Sequence, residues 1–238
     1  MFPPKFAATS KSGLLLVELL IVMVLCAVLL VLTIPVGSRM RERSREARCV
    51  SQLHQIGQLL HGYIGANGGR YRFTRDGSGT RLWYNELKQF GGLSDEDARR
   101  LFRCPSLPMG DILANVEGWY CYGFRLDYVP PTYRDPGLVT RDDSSGIYEL
   151  TVARVDNPAA FFVMADSVNA DTRRQTMRLL PRNGGLYGSE GIYLRHSNRA
   201  NVLFLDGHVE TLPREGFAPL GIQQMYDANL KVVSSVPN

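Results

Sequence analysis

The apolar and polar positions of this chain follow different patterns in different stretches. Leu14 to Ile34 holds 21 residues with one charge, Glu18. As a helix that run is about 31 Å long, close to the hydrocarbon thickness of a bilayer, and it predicts a transmembrane segment. Next, Cys49, Leu53, Ile56, Leu60 and Tyr63 recur at steps of four, three, four and three, which is the stripe of an amphipathic helix with one face in a core. Together the two patterns predict one helix over 14–64, stopped by Gly65, Gly68 and Gly69. His54 and His61 read as surface residues on it.

Beyond Gly69 the period shortens. SDEDARRLFRCPS predicts a short helix with Ser94 as N-cap and Asp97 three residues on. WYCYGF, GIYELTVARV and AAFFVMADS are β-prone runs separated by turn residues. The aromatic run could stack a base or sugar, but core or edge strand is its commoner use. Asp206-Gly207 stands between two further β-prone runs, which predicts a two-residue hairpin turn of the primed type, with Gly207 at positive φ. In that register Val202, Phe204 and Val209 share a face. A helix followed by short strands joined by turns makes the fold class α+β.

Composition narrows the chemistry. The chain has 238 residues, 45% hydrophobic and 21% charged, which is ordinary for a folded protein. A net charge of +4 gives no argument for nucleic acid. Cys26 lies inside the apolar run, and Cys49, Cys104 and Cys121 form no CxxC pair, so no zinc site is expected. In an exported domain two of those three could pair, with one left over. GxSxG, GKS/T and GxGxxG are absent. His196, Asp206 and His208 are residue types that suit a metal or acid–base site. However, ten extended residues span about 33 Å, so His196 reaches the turn only if Ser197-Asn198-Arg199 folds back. The acidic stretch TRDDSS at 140–145 is too sparse for calcium. The expectation is no catalytic residue, no metal and no cofactor, and a protein that is not an enzyme.

The N-terminal stretch GLLLVE resembles the processing site of type IV prepilins and type II secretion pseudopilins. In that family a basic leader ends in glycine, and a Glu stands fifth in the mature chain. Here Gly13 precedes Leu14, and Glu18 is fifth after it. The resemblance implies cleavage between Gly13 and Leu14, N-methylation of Leu14, and a role for Glu18 in pairing with a subunit amine during assembly. Pro35 falls where many pilins carry a kinking proline. CVSQLHQIGQLLHGY and the motif of His196, nine residues, then Asp206-Gly207 resemble prepilin-like proteins with a His-x9-Asp-Gly C-terminal domain. CPS at Cys104, YG at Tyr122 and ADS at Asp166 follow the same order. The family also implies a Cys49–Cys104 disulfide, with Cys121 free.

What the resemblance implies is a pilin-like α+β fold, with a long transmembrane helix packed on an antiparallel sheet. The parts are a leader over 1–13, a helix over 14–64 (its transmembrane part 14–34), and an exoplasmic domain over 65–238 with a structural hairpin motif at 196–212. The implied location is the bacterial inner membrane, single-pass, in a pilus or a secretion pseudopilus. The implied partners are prepilin peptidase and other pilin or pseudopilin subunits. Arg39, Arg41, Arg43, Arg45 and Arg48 pull against that topology, because the positive-inside rule alone puts them in the cytoplasm. The alternative roles are a membrane-anchored exoplasmic binding module that does not polymerise and, further off, a tethered metal-dependent enzyme.

Overall fold

The first two hydrophobic patterns merge into one helix. The computed structural model describes residues 16–74, 83–107, 120–125, 138–142, 147–179 and 185–236, and in it α1 spans Leu16–Ala66, 51 residues. Gly65 lies inside the helix, while Gly68 and Gly69 end it at φ 64° and 78°. The Gly69 N–H donates to the Ile64 carbonyl at 2.9 Å and the Asn67 N–H to Tyr63 at 3.0 Å, which satisfies carbonyls of the last turn. The chain divides into two compact units, one ending at Arg43 and one running from Ser44 to Asn238. In the first, the described apolar side chains Leu16 to Leu29 are exposed.

The membrane assignment needs correction. Among the described residues no helix is long and apolar enough to cross a membrane. The transmembrane segment over 14–34 and the inner-membrane, single-pass location therefore fall, and with them the description of the chain as a membrane-anchored pilin or secretion pseudopilin. The pilin layout of a membrane helix on one antiparallel sheet is not found either. The described strands form four sheets, and the largest contains a parallel pair.

The second unit is α+β. After β1 (Arg70–Thr74) come α2 (Trp83–Phe90), α3 (Asp95–Leu101), β2 (Gly123–Arg125), β3 (Val139–Asp142) and β4 (Ile147–Thr151). They are followed by β5 (Phe162–Ala165), β6 (Ser167–Asn169), β7 (Arg178–Leu179), β8 (Glu190–Ile192), β9 (Arg199–Phe204), β10 (Val209–Pro213), β11 (Gln224–Tyr226) and β12 (Val232–Ser234). The five-stranded sheet has the order β10-β9-β5-β2-β7. A separate sheet has the order β1-β4-β3, and β6-β8 and β11-β12 are two-stranded. The β2–β7 pair is parallel, since the chain returns to β2 only after passing through β5 and β6.

The five-stranded sheet divides the core. Leu203 and Leu205 pack with Cys49, Leu53, Ile56 and Leu60 of α1. Ala200, Val202 and Phe204 pack with Phe217, Ile222 and Met225. Burial on both faces explains why ANVLFL is almost continuously apolar instead of alternating. In β5, Val163 and Met164 both join the α1 side because the register against β9 shifts between Phe162 and Met164. Within the WYCYGF run, Tyr122 and Phe124 are fully buried, and Phe124 stacks on Trp83 with ring centroids 5.9 Å apart.

The β9–β10 hairpin differs from its expected register. The Gly207 N–H donates to the Phe204 carbonyl at 3.0 Å, and the Phe204 N–H to the His208 carbonyl at 2.9 Å. Only Gly207, at φ 91°, has positive φ in the turn. The loop is therefore Leu205-Asp206-Gly207, a three-residue turn with glycine in the left-handed position. The extra residue pairs Val209 with Leu203, so Val209 lies on the face opposite Val202 and Phe204.

Candidate functional site

The buried stripe of α1 carries Cys49 into the core. α3 supplies its partner. Ser94 caps that helix by accepting the Asp97 N–H at 3.1 Å, and three residues past its end stands Cys104. The Cys104 N–H donates to Gln175 Oε1 at 3.0 Å. Cys49 and Cys104 form a disulfide with a Cα separation of 5.3 Å, while Cys121 is a buried thiol outside that bond. Burial raises the Cys121 pKa far above that of an ordinary thiol, so it is a poor nucleophile.

His196 reaches this disulfide through a tight turn. Ser197 and Asn198 both have positive φ, 51° and 61°. The His196 N–H donates to Arg199 O and the Arg199 N–H to His196 O, each at 3.0 Å. The two-residue primed turn of this region is therefore Ser197-Asn198 and not Asp206-Gly207. It provides the fold-back that an extended chain lacks. His196 Nε2 lies 3.4 Å from Cys104 Sγ and 3.4 Å from Asp166 Oδ2.

Asp166 follows β5 directly. Its N–H donates to Asn201 O at 3.0 Å, and its Oδ2 accepts the Asn201 N–H at 2.8 Å. Its Oδ1 lies 3.7 Å from Arg195 Nε and has no hydrogen-bond donor among the described residues. Arg195 Nη2 donates to Ser167 O at 2.5 Å. Tyr122 stands close by and donates its hydroxyl to Gln52 Oε1 at 2.8 Å. Burial pushes its phenol well above the usual range, and the Asp166 charge adds to the effect. Cys49, Cys104, Asp166 and His196 are all buried, and their ligand-type atoms lie within 4.8 Å of one another.

Asp206 and His208 are outside this group. Asp206 Oδ1 accepts the His208 N–H at 3.1 Å and also touches the imidazole Nδ1. The His208 ring stacks on Phe204 at 4.3 Å. Burial raises the Asp206 pKa, but the contacts with His208 outweigh it and hold the carboxyl below its usual value. Gly207 packs against α1, where an added Cβ would stand 3.0 Å from His61 Nε2. On the helix side, a Cβ on Gly57 would stand 3.0 Å from Leu203 Cδ1 and 3.6 Å from the Gly207 Cα. The QIG and Asp-Gly motifs thus meet in space.

Of the processing residues, Gly13 and Leu14 lie outside the described residues. Glu18 is in the first turn of α1 with an exposed side chain, and Pro35 is within the helical backbone of α1. Sequence reasoning met Asp166 only in the ADS motif and gave no site role to it or to Arg195, Gln175 or Asn201. The signals for Asp166 were that motif and its place as a carboxylate directly after the apolar run FFVMA. The chain matches no family model, no curated protein and no solved structure.

Proposed function

We propose that this chain is a structural, non-catalytic prepilin-like subunit. Prepilin peptidase cuts it between Gly13 and Leu14, and it assembles with like subunits through the start of α1. The observation that carries the reading is the exposed apolar series from Leu16 to Leu29, which holds Glu18 in the helix's first turn. A carboxylate among apolar side chains suits pairing with an ammonium more than solitary burial. The new N-terminal amine of a neighbouring subunit is such a partner, and it would set the register between copies. The later turns of α1, from Cys49 on, are locked into the α+β unit by burial and by the disulfide. That arrangement suits a subunit that exposes one helix segment for assembly and folds around the rest.

The test is mass spectrometry of the chain after co-expression with a prepilin peptidase. The expected product begins at N-methyl-Leu14, and a chain that retains Met1 contradicts the reading. Glu18→Ala should be cut normally yet drop out of co-assembled oligomers. Crosslinking equal to the unsubstituted chain removes the assembly role.

A further inference from the structure

The disulfide is surrounded by more chemistry than a covalent staple needs. His196 Nε2 lies 3.4 Å from Cys104 Sγ on one side and 3.4 Å from Asp166 Oδ2 on the other. Zinc bonded to sulfur at about 2.3 Å and to nitrogen or oxygen at about 2.0 to 2.1 Å sets its tetrahedral ligands roughly 3.3 to 3.8 Å apart. Two edges of such a tetrahedron are therefore already in place. The edge between the sulfurs is closed by the covalent bond, and reduction opens it.

We propose that Cys49, Cys104, His196 and Asp166 form a redox-gated metal site, a disulfide when oxidised and, when reduced, a four-ligand site for zinc or a similar divalent ion. Two thiolates, one imidazole and one carboxylate are donors that zinc prefers. The surrounding groups fit as well. The Asn201 N–H already orients Asp166 through Oδ2, the oxygen that lies 3.4 Å from His196 Nε2, as an outer hydrogen bond does for a ligating carboxylate. The charge also balances. The oxidised cluster contains the Asp166 carboxylate and the Arg195 guanidinium, 3.7 Å apart. Loss of two thiol protons adds two negative charges, and a divalent cation cancels them, so the buried cluster is neutral in both states.

The chemistry closes. A dithiol reductant supplies two electrons and two protons. The Cys49–Cys104 bond breaks, both sulfurs become thiols, and the reductant leaves as its own disulfide. The metal ion then replaces the two thiol protons, which pass to solvent.

The experiment uses the purified full chain, reduced and then freed of reductant without oxygen, and titrated with Co2+ and with Zn2+. The expected result is one Co2+ per reduced chain, with thiolate charge-transfer and tetrahedral ligand-field bands, displaced by Zn2+. Oxidised chain should give none of these. Bound Zn2+ should protect Cys49 and Cys104 from alkylation and leave the Cys121 rate unchanged. His196→Ala and Asp166→Asn should each weaken binding at least about tenfold. Should a variant fail to fold, the alkylation pattern of the unsubstituted chain decides. Absence of Co2+ bands, binding unaffected by both substitutions, or equal protection of all three cysteines overturns the proposal. So does a reduced chain that unfolds and is not refolded by Zn2+.

Discussion

At the scale of single residues, two turns do different work. Gly207 at φ 91° occupies a conformation that L side chains rarely adopt, and its Cα faces His61. Gly207→Val is expected to destabilise the chain by about 1–3 kcal/mol, read from the urea midpoint. Asn198, at φ 61°, is already in the left-handed region, so Asn198→Gly should be neutral or stabilising, within about 1 kcal/mol. If both variants unfold at the same midpoint, positive φ at Gly207 is not what holds the hairpin. The glycine's role could be read from the sequence because Asp-Gly is a strong turn signal. The Ser-Asn turn was not read, because no turn signal as strong as Asp-Gly marks it. The one-residue error in register arose at the other turn, where the loop is Leu205-Asp206-Gly207 and not Asp206-Gly207 alone, and it moved Val209 to the other face.

At the scale of elements, the stripe of α1 and the Ser94 cap were legible because both are local patterns with a fixed period or offset. Pairing among β2, β5, β7 and β9 was not, since nothing local specifies which short strand lies beside which. The β1–β4 pair carries its own charge lock. Glu149 accepts from Arg70 at 2.8 Å and Arg72 at 2.9 Å. Burial raises its pKa, but the two arginines outweigh that and lower it. A carboxylate with a depressed folded pKa adds stability that is complete above its unfolded pKa, about 4.3, and is lost as pH falls through the folded value. Unfolding between neutral pH and pH 3 should therefore show an acid limb that shrinks in Glu149→Gln. An identical limb in the variant assigns the acid sensitivity elsewhere.

Across the whole molecule, one covalent bond joins α1 to the segment after α3, over a separation of 55 residues. Closing a loop of that length in the unfolded chain is worth about 4 kcal/mol in the chain-entropy account. Cys49→Ser should lower stability by about 2–4 kcal/mol, measured by denaturant unfolding without added metal, and a shift under about 1 kcal/mol would show that the fold does not depend on the cross-link. The coarse α+β class was readable at this scale, and the pilin layout attached to it, a membrane helix on one antiparallel sheet, was not. The four-residue cluster around the disulfide was not, because its members come from distant parts of the chain and meet only through the sheet. β9 lies between β10 and β5 and contributes to the core on both faces. It is also one of the last strands to be synthesised. A ribosome releases Cys49 and Cys104 well before Arg199, so the cross-link can close on a chain whose sheet still lacks its middle strand. Until the C-terminal segment emerges, α1 has no Leu203 to pack against and the disulfide has no histidine beside it. Translation thus completes this protein from its far end inward, and a nascent chain stalled before β9 presents the unfinished edge of β5 to whatever is nearby.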